Sequence, residues 1–233
     1  MVDIKFKAIA FDLDGTLVDS VPDLAVAAQL MLNELTLPSC SELEVRSWVG
    51  NGAEVLVRRA LAHAHKQIPT SSQVEQALVV FLKHYHQQLN QHSCLYDGVK
   101  ETLLQLIEQG YQLAVVTNKP IQFVAPILKA FEIDHCFSLI LGGDSLEAKK
   151  PDPMPLNYII SEWALKKDQL LMVGDSKNDI LAAKSAGIAS IGLTYGYNYG
   201  EDIGLSGSDA VFDDFSDILS WVLTHFKLRK LSE

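Results

Sequence analysis

The chain has 233 residues, 48% hydrophobic and 21% charged, enough apolar material for one large or two modest domains, which excludes a disordered chain. Its formal net charge of −10 argues against a nucleic-acid partner, because phosphate backbones are bound through many Lys and Arg side chains. A small phosphate held by a few focused cations stays compatible with that charge.

The first predicted element is a short buried strand over residues 6–11 (FKAIAF), stopped abruptly by Asp12-Leu13-Asp14-Gly15-Thr16. With Asp3, Lys5 and Lys7 around it, this run is too short for a secretory signal. From about Ser20 to Cys94 the pattern is helical. Leu24, Ala27, Ala28, Met31 and Leu32 share one face, and Val55, Leu56, Arg59, Ala60 and His63 share another. A third helix fits Gln73 to Leu89, where Ala77, Val80, Phe81 and Tyr85 recur. Leu95-Tyr96-Asp97-Gly98 then reads as a return hinge. A helical stripe (Val99, Leu103, Leu106, Ile107) leads to a strand at Leu113 to Val116, closed by Thr117-Asn118-Lys119-Pro120. A second stripe (Val124, Ile127, Leu128, Phe131) leads to a strand at Leu139 to Leu141. A helix over 154–165 precedes a strand at Leu170 to Val173, which is closed by Gly174-Asp175. A helix over 177–186, weaker strands over 189–193 and 210–212, and a helix over 215–226 finish the chain.

Apolar strands alternating with amphipathic helices predict a doubly wound, Rossmann-like α/β fold with a parallel sheet covered on both faces. The expected division is an α/β core from residues 1–19 and 95–233, with residues 20–94 inserted as a helical cap. Ligands of such sheets bind beyond the carboxyl ends of the strands, where the Asp, Thr and Gly-Asp punctuations converge. Cys40, Cys94 and Cys136 are scattered, without CxxC or Cys/His spacing, and no stretch approaches the roughly 18 apolar residues of a membrane span. Reduced thiols, a cytoplasmic location and no membrane partner are therefore expected. Monomer and homo-oligomer both stay open.

Asp12 and Asp14 are i and i+2 in an extended segment, so both carboxyl groups can face one pocket. Adjacent carboxylates repel, and a hard cation such as Mg²⁺ relieves that repulsion through oxygen ligands. Asp175 and Asp179 offer further carboxylates at the same edge. Lys150, fixed by Pro151, supplies a positive charge, and Thr117 with the amide of Asn118 offers donors for phosphoryl oxygens. Taken alone, Thr117 would usually be a helix cap and Lys150 a surface lysine; their place in the series lifts them. His63/His65 and His84/His86 are i, i+2 pairs on opposite helix sides, unsuited to sharing a metal. Tyr195-Gly196-Tyr197-Asn198-Tyr199-Gly200 reads as a surface loop near the active edge.

Asp12-Leu13-Asp14-Gly15-Thr16, Thr117, Lys150 and Gly174-Asp175-Ser176-Lys177-Asn178-Asp179 together resemble the four motifs of the haloacid-dehalogenase-like hydrolase superfamily, across nearly the whole chain. The resemblance implies a Mg²⁺-dependent phosphatase acting through an aspartyl-phosphate. It makes Asp12 the nucleophile and Asp14 the general acid, then base. The ion would be held by Asp12, the Asp14 carbonyl, Asp175 and Asp179, and the phosphoryl group by Thr117, Asn118 and Lys150. Asp12 to Pro22 and Trp48-Val49-Gly50-Asn51-Gly52, ahead of Arg58 and Arg59, further resemble bacterial phosphoglycolate phosphatases. That likeness implies 2-phosphoglycolate as the small phosphorylated substrate, with Gly50, Asn51 and Gly52 near it and Arg58 or Arg59 meeting its carboxylate. Rival expectations are a phosphatase for a sugar phosphate or pyrophosphate, a sugar phosphomutase, and a non-catalytic phosphate-binding regulatory protein.

Overall fold

The computed structural model describes residues 6–224. Asp3 and Lys5 of the N-terminal reading, and His225 and Phe226 of the helix expected over 215–226, lie outside the described residues. In chain order the elements are β1 (Ala8–Phe11), β2 (Val18–Asp19), α1 (Val21–Glu34), α2 (Glu42–Arg46), α3 (Ala53–His65), α4 (Ser71–Gln88), β3 (Cys94–Leu95), α5 (Val99–Glu108) and β4 (Gln112–Val116). Then come α6 (Ile121–Ala130), β5 (Leu139–Leu141), α7 (Met154–Glu162), β6 (Leu170–Gly174), α8 (Lys177–Ala186), β7 (Ala189–Leu193), β8 (Ala210–Phe212) and α9 (Asp217–Thr224).

Six strands form one sheet in the order β5-β4-β1-β6-β7-β8, every neighbouring pair parallel. Its four inner strands, β1, β4, β6 and β7, are apolar along both faces because both faces are buried there. Ile9 and Phe11 pack with Leu113, Val115, Leu171 and Val173 on one side. Ala8 and Ala10 pack with Ala114, Val116 and Met172 on the other, where Ala182, Ala183 and Ala186 of α8 complete the layer. β1 lies between β4 and β6, so the order of winding reverses there. The carboxyl ends of these three strands open onto one crevice, the place where such sheets bind ligands.

Helices α1 to α4 lie between β2 and β3, which pair antiparallel through Val18 with Leu95 and Asp19 with Cys94. This ribbon is absent from the sequence reading, which put its hinge at Leu95 to Gly98; a two-residue strand is too short to show alternation. The expected division points, 19/20 and 94/95, fall on it. Also unanticipated is α2, a five-residue helix begun by a capping box in which Ser41 and Glu44 satisfy each other's backbone amides. The helix expected over 154–165 ends at Glu162, and Ala164 turns to a φ of 49°. The apolar layer around Ile9 and Phe11 runs without a break into the helices through Leu24, Phe81 and Tyr85. Tyr85 of α4 meets Phe123 of α6 edge-on, ring centroids 4.9 Å apart.

Candidate active site

Asp12 continues β1 by one residue, its amide donating to the Val173 carbonyl at 3.0 Å. Its Oδ1 accepts from the Leu13 amide at 2.7 Å and pairs with Lys150 Nζ at 2.9 Å. Lys150 also meets Asp179 Oδ1 at 2.6 Å, and all three side chains are buried. The chain then turns sharply at Gly15, whose φ is +90°. A Cβ there would sit 2.3 Å from an Asp175 carboxylate oxygen, so only glycine lets the turn approach that group.

Asp175 leaves the end of β6. It accepts from Thr16 Oγ1 at 2.9 Å and from the Tyr197 amide at 2.8 Å. Asp179, in the first turn of α8, caps that helix by accepting from the Ser176 amide and hydroxyl at 3.0 and 2.9 Å. Carboxylate oxygens of Asp12, Asp175 and Asp179 all lie within 4.8 Å of one another, forming the one such acidic group among the described residues. Burial pushes the Asp12 carboxyl up to about 7 against the pull of Lys150, and the charges of Asp179 and Asp14 add to the rise. Burial, then the charges of Asp12 and Asp179, pushes Asp175 well above the usual carboxylate range. Carboxylates crowded in this way resist ionising together, and a hard divalent cation restores their charged form. The donor set, oxygen alone, fits such an ion.

Asp14 stands apart from that acidic group. Its Oδ1 accepts from Ser20 Oγ at 2.5 Å and pairs with Lys119 Nζ at 2.7 Å. Lys119 is buried, and its ammonium also lies 4.8 Å from the centre of the Tyr85 ring. Burial works against that charge, but Asp14 outweighs it and holds the ammonium protonated above its ordinary range. Sequence reasoning passed over Lys119. The available signal was its position directly before a proline, as Lys150 is.

Asp12 and Asp14 share a cavity of about 460 Å³, open mouth included, with Thr117, Asn118, Lys119, Gly50 and Gly52, and with apolar walls from Leu24, Val49, Leu56, Phe81 and Phe123. Thr117 is buried, and its hydroxyl accepts from the Lys119 amide at 3.1 Å. The Asn118 side-chain amide donates to the carbonyls of Gly50 and Lys150, both at 2.9 Å. Asn178 reaches the same Gly50 oxygen at 3.1 Å.

The remaining sequence candidates lie outside this lining. Arg58 is on the outer side of α3, paired with Glu54 at 2.9 Å. Arg59 holds the Trp48 carbonyl at 2.6 Å and Asn51 Oδ1 at 2.9 Å, and its guanidinium lies over the Tyr199 ring. Asn51 thus braces Arg59.

The 195–200 segment corrects the surface-loop reading, because its tyrosines point inward. Tyr195 donates to the Thr16 carbonyl at 2.8 Å. The buried Tyr197 hydroxyl donates to Asp19 at 2.7 Å and accepts from the Ser20 amide at 2.9 Å. Tyr199 accepts from Asn178 at 2.7 Å. Its Gly-Tyr composition resembles an exposed turn, while the partners that bury it lie far away in sequence. Among the described residues no helix is long and apolar enough to cross a membrane.

Residues 9–193 match the family model described as haloacid dehalogenase-like hydrolase. A phosphoglycolate phosphatase of Haemophilus influenzae (strain 86-028NP) is 52% identical over 219 residues, covering 93% of this chain and 98% of that protein. One from Vibrio cholerae serotype O1 is 52% identical over 221 residues, covering 94% and 98%. Among solved structures, a predicted phosphoglycolate phosphatase from Haemophilus somnus 129pt superposes with a TM-score of 0.89 at 51% identity, covering 93% of this chain and 97% of that one.

Proposed function

Since the chain belongs to the haloacid dehalogenase-like hydrolase family, we propose that it is a Mg²⁺-dependent phosphatase hydrolysing 2-phosphoglycolate to glycolate and phosphate. The observation that carries this reading is the meeting of Asp12, Asp175 and Lys150, which follow three separate strands in the chain, at one buried rim. The substrate comes from the relatives that are 52% identical over nearly their whole length.

Asp12 is the nucleophile. Its carboxylate oxygen forms a bond to phosphorus as the bond from phosphorus to the leaving alkoxide oxygen breaks. Lys150, held between Asp12 and Asp179, fixes the attacking carboxylate and faces the negative charge of the phosphoryl group. Asp14, on the same extended segment, gives a proton to the leaving oxygen and then takes one from the water that hydrolyses the aspartyl-phosphate. The Thr117 hydroxyl and the Asn118 backbone amide bind phosphoryl oxygens. Asp12, Asp175, Asp179 and the Asp14 carbonyl would hold Mg²⁺, which when bound offsets the repulsion between carboxylate and phosphate.

Residues 20–94 act as a cap over a core made of residues 1–19 and 95–233, and close the crevice against bulk water. The β2–β3 ribbon supports this division, as does the docking of the Gly50 carbonyl against Asn118 and Asn178. Steady-state kinetics with Mg²⁺ on 2-phosphoglycolate, hexose phosphates and pyrophosphate test the reading. The highest kcat/KM is expected for 2-phosphoglycolate, and a preference for any of the others overturns the substrate assignment.

A further inference from the structure

We propose that Lys119 is the residue that recognises the carboxylate of the substrate, and that Asp14 occupies that position until the substrate arrives. The inference rests on the substrate reading above and adds the group that enforces it.

A two-carbon phosphorylated acid brings two anions into the cavity. The phosphoryl end has Lys150 and Thr117, but the carboxyl end needs a cation of its own, since an unpaired carboxylate in a mostly apolar cavity is strongly disfavoured. Neither arginine of α3 can serve from where it stands. Arg58 points outward to Glu54, and Arg59 is committed to Trp48, Asn51 and the Tyr199 ring. Lys119 is the one cationic side chain among the residues lining the cavity. It stands opposite apolar residues of the helical segment, with Phe81 and Leu56 in the same lining and the Tyr85 ring against its ammonium.

Its present partner is a catalytic group. Asp14 must reach the leaving oxygen to work, and when it moves there Lys119 is left as a buried ammonium without a counter-ion, an expensive state. The substrate carboxylate, attached one carbon from the leaving oxygen, replaces Asp14 at the ammonium. Asp14, bringing a proton taken from solvent, keeps its bond from Ser20 and turns toward the ester oxygen. An ester without a carboxylate offers Lys119 nothing, so Asp14 stays paired and turnover is slow. Discrimination and release of the general acid are thereby one event.

The test compares 2-phosphoglycolate with ethyl phosphate, which replaces the carboxylate by a methyl group, using the full chain with Mg²⁺. Wild type should favour 2-phosphoglycolate. Lys119→Met should lower kcat/KM for 2-phosphoglycolate on the order of 100-fold more than for ethyl phosphate, the expected loss of a charge-assisted contact in a dry site. Inhibition by glycolate should weaken in parallel, while inhibition by inorganic phosphate is retained. Lys119→Arg, which keeps the charge, should recover part of the preference, and it carries the comparison if the methionine variant does not fold. Equal losses on both esters with glycolate inhibition intact would show that Lys119 only positions Asp14, and overturn the proposal. A wild type that prefers ethyl phosphate overturns the substrate reading itself, and the carboxylate role with it. A wild type that prefers 2-phosphoglycolate, with a Lys119 variant that keeps that preference, overturns the role of Lys119 alone.

Discussion

Asp12 and Asp14 are two residues apart and each pairs with a buried lysine that precedes a proline, yet the two regions are built differently. Around Asp12 every partner comes from the sheet rim: Lys150, Asp175 and Asp179 form a closed cluster in which Lys150 bridges two carboxylates. Around Asp14 the partners, and the ring that backs one of them, come from three separate stretches. Ser20 stands at the entry to the helical segment, Lys119 at the end of β4, and Tyr85 of α4 lies against that lysine. The first arrangement suits a fixed reaction centre. The second suits a group whose partner can be exchanged.

The sharpest way to break this contrast is Asp12→Asn. It should lower kcat by about four orders of magnitude or more, as expected when a covalent nucleophile is lost. Substantial turnover by a preparation proven free of wild type would move the nucleophile elsewhere.

Next in size is the stability difference between the two lysines. Lys150→Met strands Asp12 and Asp179 together and should cost about 3–5 kcal/mol in chemical denaturation. Lys119→Met leaves Asp14 with its Ser20 hydrogen bond and should cost about 1–3 kcal/mol. Equal losses would erase the distinction between a closed cluster and an exchangeable pair.

A third measurement addresses the carboxylates without mutation. With Asp12 raised to about 7 and Asp175 also raised, the folded metal-free protein binds more protons than the unfolded chain above the ordinary carboxylate range. Stability from these groups is therefore full below about pH 4 and is lost as pH rises through 7. Between pH 5 and 8 the Tm in EDTA should fall by several degrees, and added Mg²⁺ should raise it most at pH 8. A Tm in EDTA that climbs over that interval would contradict the sign. The smallest effect is expected for Arg58→Ala: a preference for 2-phosphoglycolate over ethyl phosphate within about two-fold of wild type, since its surface pair with Glu54 contributes little.

The same contrast explains what the sequence made legible. Asp12, Thr117 and Asp175 each follow directly on an apolar run, so strand periodicity alone aligned them along one rim, and all six strands of the sheet were readable as such runs. Lys119 was hidden because Asp14 lies 105 positions away and Tyr85 sits in a helix whose apolar stripe reads only as packing. Tyr197 was hidden by its neighbours. Glycines and tyrosines suggest exposure, and nothing local announces that its amide serves Asp175 and its hydroxyl serves Asp19 and Ser20. The α2 helix was readable through Ser41 and Glu44, but five residues give no periodicity to prompt the search.

The Gly50 carbonyl takes hydrogen bonds from both Asn118 and Asn178, so the docking of this segment depends on main chain rather than on its own side chains. Val49 and Ala53, which flank it in the cavity wall, shape the pocket, while the hydrogen bonds of the seam run through the Gly50 main chain. Selection can remodel the pocket for a different phosphorylated acid by altering the wall alone, leaving the latch to be inherited unchanged.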